Sequence, residues 1–393
     1  MRVCAVICEY NPFHLGHAYH LRAARESSGA DYVLCLMSGA LTQRGTFARH
    51  DKWLRSRAAL QNGADVVLEL PARFACAPAP DFAGGGVSLL SALGVVTHLS
   101  FGCEPSALSL LSAAAPLFKA ESPVFSATLQ THLANGLPYP RARALAAEQI
   151  AGIPADLLAQ PNAALALEYL QALPETIVPV PVARQGSGYH DAALSALSSA
   201  TAVRATLARG DLADALSAVP SPEILQTAEK SGFVHEEEAL TQALLYRLRT
   251  ASPAELSALY GMDEGLESRF LAAAQNCSTR EALLEQIKTK RYTRARLSRL
   301  CAYALLNLTR DFAQTHRTPD YARVLGFRKS AAPLLKEIKQ HGSIPLVTKA
   351  ADFDRSNPLF ALDVRAQNLW SLGVLNPSLR VSGRDFTTSP VML

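Results

Sequence analysis

Apolar residues cluster at 3–8, 32–37, 66–70 and 98–101, each segment mostly β-branched or otherwise apolar and bounded by Gly, Pro or Asn. Short runs of this kind predict strands buried on both faces. Between them, 16–27, 47–61 and 86–93 are amphipathic and predict helices. Strands alternating with helices predict a parallel sheet covered on both sides. A further strand is expected at 176–182, followed by a loop at 184–189 and a helix that Ser199 caps.

The pattern changes after Arg209-Gly210. Ala- and Leu-rich stretches predict helices at 222–230, 237–249, 253–259, 279–287 and 293–310, and short strands at 323–327 and 344–348 flank a helix at 331–340. The expected fold class is α/β: a Rossmann-like parallel sheet over 1–205, then a mostly α-helical unit over 206–393. Gly84-Gly85-Gly86 is expected to act as a hinge or helix entry.

Composition narrows the function class. The 393 residues are 49% hydrophobic and 18% charged, which excludes disordered and low-complexity chains. No apolar run is long enough for a membrane span, and the N-terminus lacks the form of a signal peptide. Seven cysteines without a C-x-x-C pair point to a reducing, cytoplasmic setting and away from structural zinc. Net charge is +4, and all of the excess lies beyond residue 205; Lys288 to Arg299 holds six basic residues and no acid. A stretch of that kind suggests a polyanionic partner.

The strongest chemical signal is Glu9-Tyr10-Asn11-Pro12-Phe13-His14-Leu15-Gly16-His17, between the first strand and the first helix. Ligands of open α/β sheets bind at such turns. A helix start offers unpaired N–H groups and a positive dipole end to phosphate. His14 and His17, three apart, would share a face and could donate to phosphate oxygens as charge builds at phosphorus. Gly16 would let a base or phosphate approach the backbone. No G-x-S-x-G elbow or Walker-type phosphate loop competes with this site. His190, His235 and His341 lack metal-ligand neighbours, and no carboxylate pair marks a metal site.

H-x-G-H after the first strand resembles the nucleotidylyltransferase superfamily that includes class I aminoacyl-tRNA synthetases. The longer EYNPFHLGHAYHL resembles the bacterial tRNA(Met) cytidine acetate ligase family. The likeness continues through MSGALTQRG (37–45), LELP (68–71), SFGCE (100–104), PNAALALEYL (161–170), ARQGSGYH (183–190), SSATAVR (198–204), KTKRYTRARLSRL (288–300) and RVLGF (323–327). The chain differs in having Thr46-Phe47 after QRG, where the family usually has Glu-Pro, and Leu15 where Asn is frequent.

The resemblance implies that acetate attacks the α-phosphorus of ATP, giving acetyl-adenylate. The acetyl group then passes to N4 of the wobble cytidine of elongator tRNA(Met). It places His14, His17 and Arg184 in the chemistry. ATP would be held by Ile7, Cys8, Glu9, Tyr10, Asn11, Pro12, Phe13, His14, Leu15, Gly16, His17, Ala18, Tyr19, His20, Gly102, Asn162 and Arg184. Ser199 and Thr201, with Arg204, resemble a second phosphate-contacting segment. Mg²⁺ is expected with ATP, with no protein ligand identified.

Lys288, Lys290, Arg291, Arg294, Arg296 and Arg299 are expected to meet RNA phosphates, and Tyr292 to stack on an unpaired base. Leu297, Leu300 and Ala304 should face the core. Two other classes fit part of the pattern. A small-molecule nucleotidylyltransferase explains the histidines but not the basic run. A non-catalytic tRNA-binding protein explains the run alone. DNA and membrane partners are not expected, and the sequence is silent on oligomeric state.

Overall fold

The computed structural model describes residues 1–119, 122–183 and 199–393. Eight strands form one sheet: β1 (Val3–Cys8), β2 (Tyr32–Ser38), β3 (Val66–Leu70), β4 (His98–Gly102), β5 (Val178–Val182), β6 (Ala322–Phe327), β7 (Leu346–Val347) and β8 (Val391–Met392). Their order is β5-β4-β1-β2-β3-β6-β7, with β8 also on β6. The first five run parallel; β6 joins β3 antiparallel. Chain order reverses between β1 and β4, one path leading to β2 and β3 and the other to β5. A crevice at the strands' carboxyl ends is expected at that point.

Alternate residues of the central strands supply two cores, because successive side chains point to opposite faces. Val3, Ala5, Leu34, Leu36, Val66 and Leu68 belong to one. Cys4, Val6, Val33, Cys35, Met37 and Val67 belong to the other. Helices α1 (Leu15–Ser28) and α2 (Lys52–Gln61) contribute to the second core. Helices α3 (Ala79–Ala92) and α4 (Pro161–Ala172) contribute to the first. Helix α5 (Ala200–Ala208) starts at Ser199, whose Oγ accepts from the Ala202 N–H at 3.2 Å.

Several expectations change. The helix expected from 47 starts at Lys52, because the Arg49 N–H is taken by Asn11 Oδ1 and Asp51 is the cap. The triple glycine is no hinge: it lies inside α3, where Cβ atoms on Gly85 and Gly86 would come within 2.3 Å of Phe74 and 2.6 Å of Ile7. The glycines therefore let α3 press on its neighbours. The helix expected over 293–310 ends earlier, as α6 (Arg294–Leu306), where Asn307 turns left-handed at φ 52°. A new helix then starts behind the cap Thr309.

The helices of 240–308 share a core with Ala40, Leu41, Phe47, Ala72 and Cys76, so they pack on the segments that follow β2 and β3. Residues 206–393 are mostly helical but not spatially separate, since β6, β7 and β8 return to the first sheet. Among the described residues no helix is long and apolar enough to cross a membrane.

Candidate active site

A cleft of about 340 Å³ opens at the carboxyl ends of β1 and β4, where the strand order reverses. Its volume is at the lower end of the range usual for small-molecule sites, about 300–1,000 Å³. Ile7, Cys8, Glu9, Tyr10, Asn11, His14, Gly16, His17, Tyr19 and His20 line it from β1 and α1. Gly102 and Asn162 face it from β4 and α4, and Ser199, Thr201 and Arg204 from the start of α5. Residues scattered over two hundred positions thus share one cavity. Pro12, Phe13, Leu15 and Ala18, expected at the nucleotide, do not line it. Pro12 and Phe13 instead border a small void with Val219, and Phe13 is buried edge-on against Tyr10.

The histidine pair is fixed by the helix start itself. His14 caps α1: its Nδ1 accepts from the Gly16 N–H at 3.0 Å, while the His14 N–H donates to His17 Nδ1 at 3.3 Å. Both Nδ1 atoms are therefore acceptors, and in each neutral ring the proton belongs on Nε2. The rings lie close and tilted, with centroids 3.7 Å apart and planes 33° apart. Tyr10 supports His17 from the side, at 4.8 Å between centroids. The first turn of α1 has no acidic residue, so its positive end is not offset locally.

The backbone does not behave as the sequence suggested. Leu15 N–H donates to Ala218 O at 3.0 Å, and the His17 and Ala18 N–H groups to His14 O at 2.9 and 3.2 Å. With Gly16 taken by His14, the N–H groups at the start of α1 are engaged by the protein. The helix dipole still favours an anion at this end. Gly16 has a second reason to lack a side chain: a Cβ would lie 2.9 Å from His14 Cε1.

The surrounding groups hold this geometry. Arg55, buried in the second core, donates to the carbonyls of Glu9 at 2.6 Å and Ser38 at 3.0 Å, and also to Gly39 O. It thereby gathers the exits of β1 and β2. Arg204 donates to Asn11 O, and to Thr201 Oγ1 at 3.2 Å. His20 Nε2 lies 3.0 Å from Ser100 Oγ, and burial pushes its pKa down to about 4, so it is neutral near pH 7. Asn162 does not cap α4, whose N-cap is Gln160. A Cβ on Gly102 would meet nothing nearer than Asn162 Nδ2 at 3.9 Å, which leaves that wall open to a ligand.

Sequence reasoning missed Phe82 and Tyr169, which approach the cleft from α3 and α4. Gln43 and Arg44 also line it; their signal was their position just past β2, on the same sheet edge as Glu9. Arg184 and His190 lie outside the described residues. His235 is buried with Nδ1 2.9 Å from Trp370 O, and His341 pairs with Glu337 at 3.2 Å.

The basic run is more compensated than its sequence suggests. Arg294 is paired with Glu281 and Glu285, and Arg291 with Glu264 at 3.0 Å. Arg296 lies over the Tyr292 ring, 5.2 Å from its centroid. Tyr292 is only 6% exposed and packs in the helical core, so it cannot stack on a base as placed. Arg299 donates to Gln43 O at 3.1 Å. Lys288 and Lys290 are exposed, and Leu297, Leu300 and Ala304 are buried as expected.

Comparison with known proteins places the cleft in context. The HIGH Nucleotidyl Transferase family profile matches residues 1–384. A tRNA(Met) cytidine acetate ligase of Geobacillus sp. (strain WCH70) is 35% identical over 404 aligned residues, covering all of both chains. One from Halothermothrix orenii is 36% identical, over 98% of each. The crystal structures of Thermotoga maritima TmcAL, apo and bound with alpha-thio ATP, match the whole chain with TM-scores of 0.93 and 0.91 at 31% identity.

Proposed function

The chain belongs to the HIGH nucleotidyl transferase family and, within it, to the tRNA(Met) cytidine acetate ligases, and from that membership we propose an ATP-dependent ligase working in two steps. An acetate oxygen attacks the α-phosphorus of ATP, pyrophosphate leaves, and acetyl-adenylate remains. N4 of the wobble cytidine of elongator tRNA(Met) then attacks the acetyl carbon and loses a proton as AMP leaves, giving N4-acetylcytidine. Such a ligase acts in the cytoplasm, where its tRNA substrate is found.

The observation that carries this reading is the paired imidazoles at the switch-point cleft, each with Nδ1 accepting a backbone N–H, so that the ring is fixed in orientation with its donor proton on Nε2. Fixed donors of this kind stabilise negative charge as it develops, without reorganising. His14 and His17 are assigned to the triphosphate. Gly102 and Asn162 are assigned to the nucleoside side, and Ser199 and Thr201 to the far phosphates. Arg184 keeps its assignment from the family resemblance. Neutral His20 and the aromatic wall of Phe82 and Tyr169 keep the mixed anhydride away from water. That matters because cytosine N4 is a weak nucleophile.

Among the described residues no group of three His, Cys, Asp or Glu side chains converges as a metal site needs. That speaks only to a dedicated cage of protein ligands, whereas Mg²⁺ bound with a nucleotide ordinarily takes one or two carboxylates besides phosphate and water. An ion carried on the triphosphate would be held by phosphate oxygens and water, and no step is routed through it.

We assign ATP chemistry to 1–205 and tRNA binding to the helical part of 206–393, at the exposed side of Lys288, Lys290 and Arg291. Arg294 can join by exchanging Glu281 and Glu285 for phosphates, and Arg296 by exchanging Glu264, 3.9 Å away. The reading is tested by mass spectrometry of tRNA(Met) incubated with the protein, ATP and labelled acetate. One labelled acetyl group on the wobble cytidine is expected. Unmodified tRNA under those conditions would overturn it, and AMP or CMP joined to a phosphorylated metabolite would favour a small-molecule transferase.

A further inference from the structure

One cation of the basic helix is turned inward. Arg299 on α6 is half-buried, and its Nη1 donates to the Gln43 carbonyl at 3.1 Å. Gln43 belongs to a tight turn closed by Thr42 N–H to Thr46 O at 2.9 Å and Gly45 N–H to Thr42 O at 3.0 Å. On one side the turn is fastened to the β1 exit, since the Gln43 N–H donates to Glu9 Oε1 at 2.7 Å. On the other side it is fastened to the helical part. Gly45 O accepts from Ser298 Oγ at 2.9 Å and Arg280 Nη2 at 3.3 Å. A Cβ on Gly45 would lie 2.3–2.5 Å from the Ser298–Arg299 backbone, and its φ of +79° suits only glycine without strain. The turn is thus clamped between α6 and the ATP cleft, and Gln43 and Arg44 at its tip line that cleft.

We propose that Arg299 is a positioning residue of the ATP half-reaction and not an RNA ligand: through the Gln43 carbonyl it sets where Gln43 and Arg44 stand at the cleft mouth. This goes beyond the adenylating reading and rests on it only for the assay of turnover. A guanidinium donating to a carbonyl is a charge-assisted bond, and its loss would release the Gln43 carbonyl at the tip while Glu9, Ser298 and Arg280 still hold the rest of the turn.

The test uses the full chain and Arg299→Ala. ATP affinity is measured by calorimetry, acetate-dependent exchange of labelled pyrophosphate into ATP without tRNA, and tRNA(Met) affinity by filter binding. Arg299→Ala should weaken ATP binding about tenfold, the scale of one lost charged hydrogen bond, and raise KM for ATP with kcat kept. Arg299→Lys, which can still donate to the carbonyl, should restore most of it, and tRNA affinity should not change. Partial unfolding would lower kcat without moving KM, and that result counts against the proposal, as do unchanged ATP affinity or weakened tRNA binding alone. If Arg299→Ala does not fold, Arg299→Gln carries the same measurements. A wild-type chain that binds ATP without acetate-dependent exchange would sink the adenylating reading; the effect of Arg299→Ala on ATP affinity would still decide the positioning role.

Discussion

Gly16→Ala separates the two demands on the H-x-G-H turn. A Cβ at Gly16 would lie 2.9 Å from His14 Cε1 and 3.1 Å from His14 Nδ1. The His14 side chain, only 7% exposed, has little room to yield, so the ring must tilt away and lose its 3.0 Å bond from the Gly16 N–H. For stability, two effects oppose. Losing the cap costs about 1 kcal/mol, while replacing Gly by Ala in a helix gains up to about 1 kcal/mol. The balance is near zero, and Tm should move by no more than about 4 °C. Catalysis has no such offset. A shift of about 1 Å in a group that meets the transition state costs about 100-fold. Acetate-dependent pyrophosphate exchange, read beside thermal unfolding, should therefore collapse in a protein of nearly unchanged Tm. Wild-type exchange in Gly16→Ala would refute the idea that the His14 ring is held in register by the missing side chain.

Two further substitutions test the interior. Lys52 Nζ, fully buried, lies 2.7 and 2.9 Å from the Glu69 oxygens and 2.7 Å from Asp385 Oδ1, so Lys52→Met should lower stability by about 3–5 kcal/mol in urea unfolding because it leaves buried carboxylates short of a cation. A loss well below that range would mean the cluster relaxes easily. Burial pushes the His235 pKa down from 6.5 to about 4. Between those values the unfolded chain binds a proton that the folded chain refuses. Stability then falls on acidification through that window, by at most about 1.4 kcal/mol per pH unit from this group. Urea midpoints of the wild type should thus drop more steeply from pH 6.5 to 4 than those of His235→Gln, and parallel curves would contradict it.

The sheet was legible wherever a strand is short, apolar and bounded by breakers: β1 and β3 lie where the pattern put them. Ser199 was legible for the same local reason, as a hydroxyl placed before a helical run. Errors arose where tertiary contact overrides local preference. Gly84-Gly85-Gly86 reads as a hinge or helix entry, yet Phe74 and Ile7 fill the space where side chains on Gly85 and Gly86 would be. The run Lys288–Arg299 contains no acid, but Glu281 and Glu285 just before it and the more distant Glu264 reach it from neighbouring elements, which a window confined to the run does not count. The same holds for the α1 N–H groups, one of which is taken by Ala218 from two hundred residues away. In the site, the motif was visible because its residues are contiguous. Phe82 and Tyr169 were not, since only the folded chain brings them to the cleft, and Gln43 and Arg44 were marked only by their place just past β2.

The central claim is that the paired imidazoles of His14 and His17 bind the triphosphate at the moment of acetate activation. It is tested most directly by acetate-dependent pyrophosphate exchange in the wild type and His17→Ala, with tRNA absent. The wild type should exchange label only when acetate is present. His17→Ala should show none while staying folded and retaining its affinity for tRNA(Met). Exchange that persists in the folded variant would contradict the account.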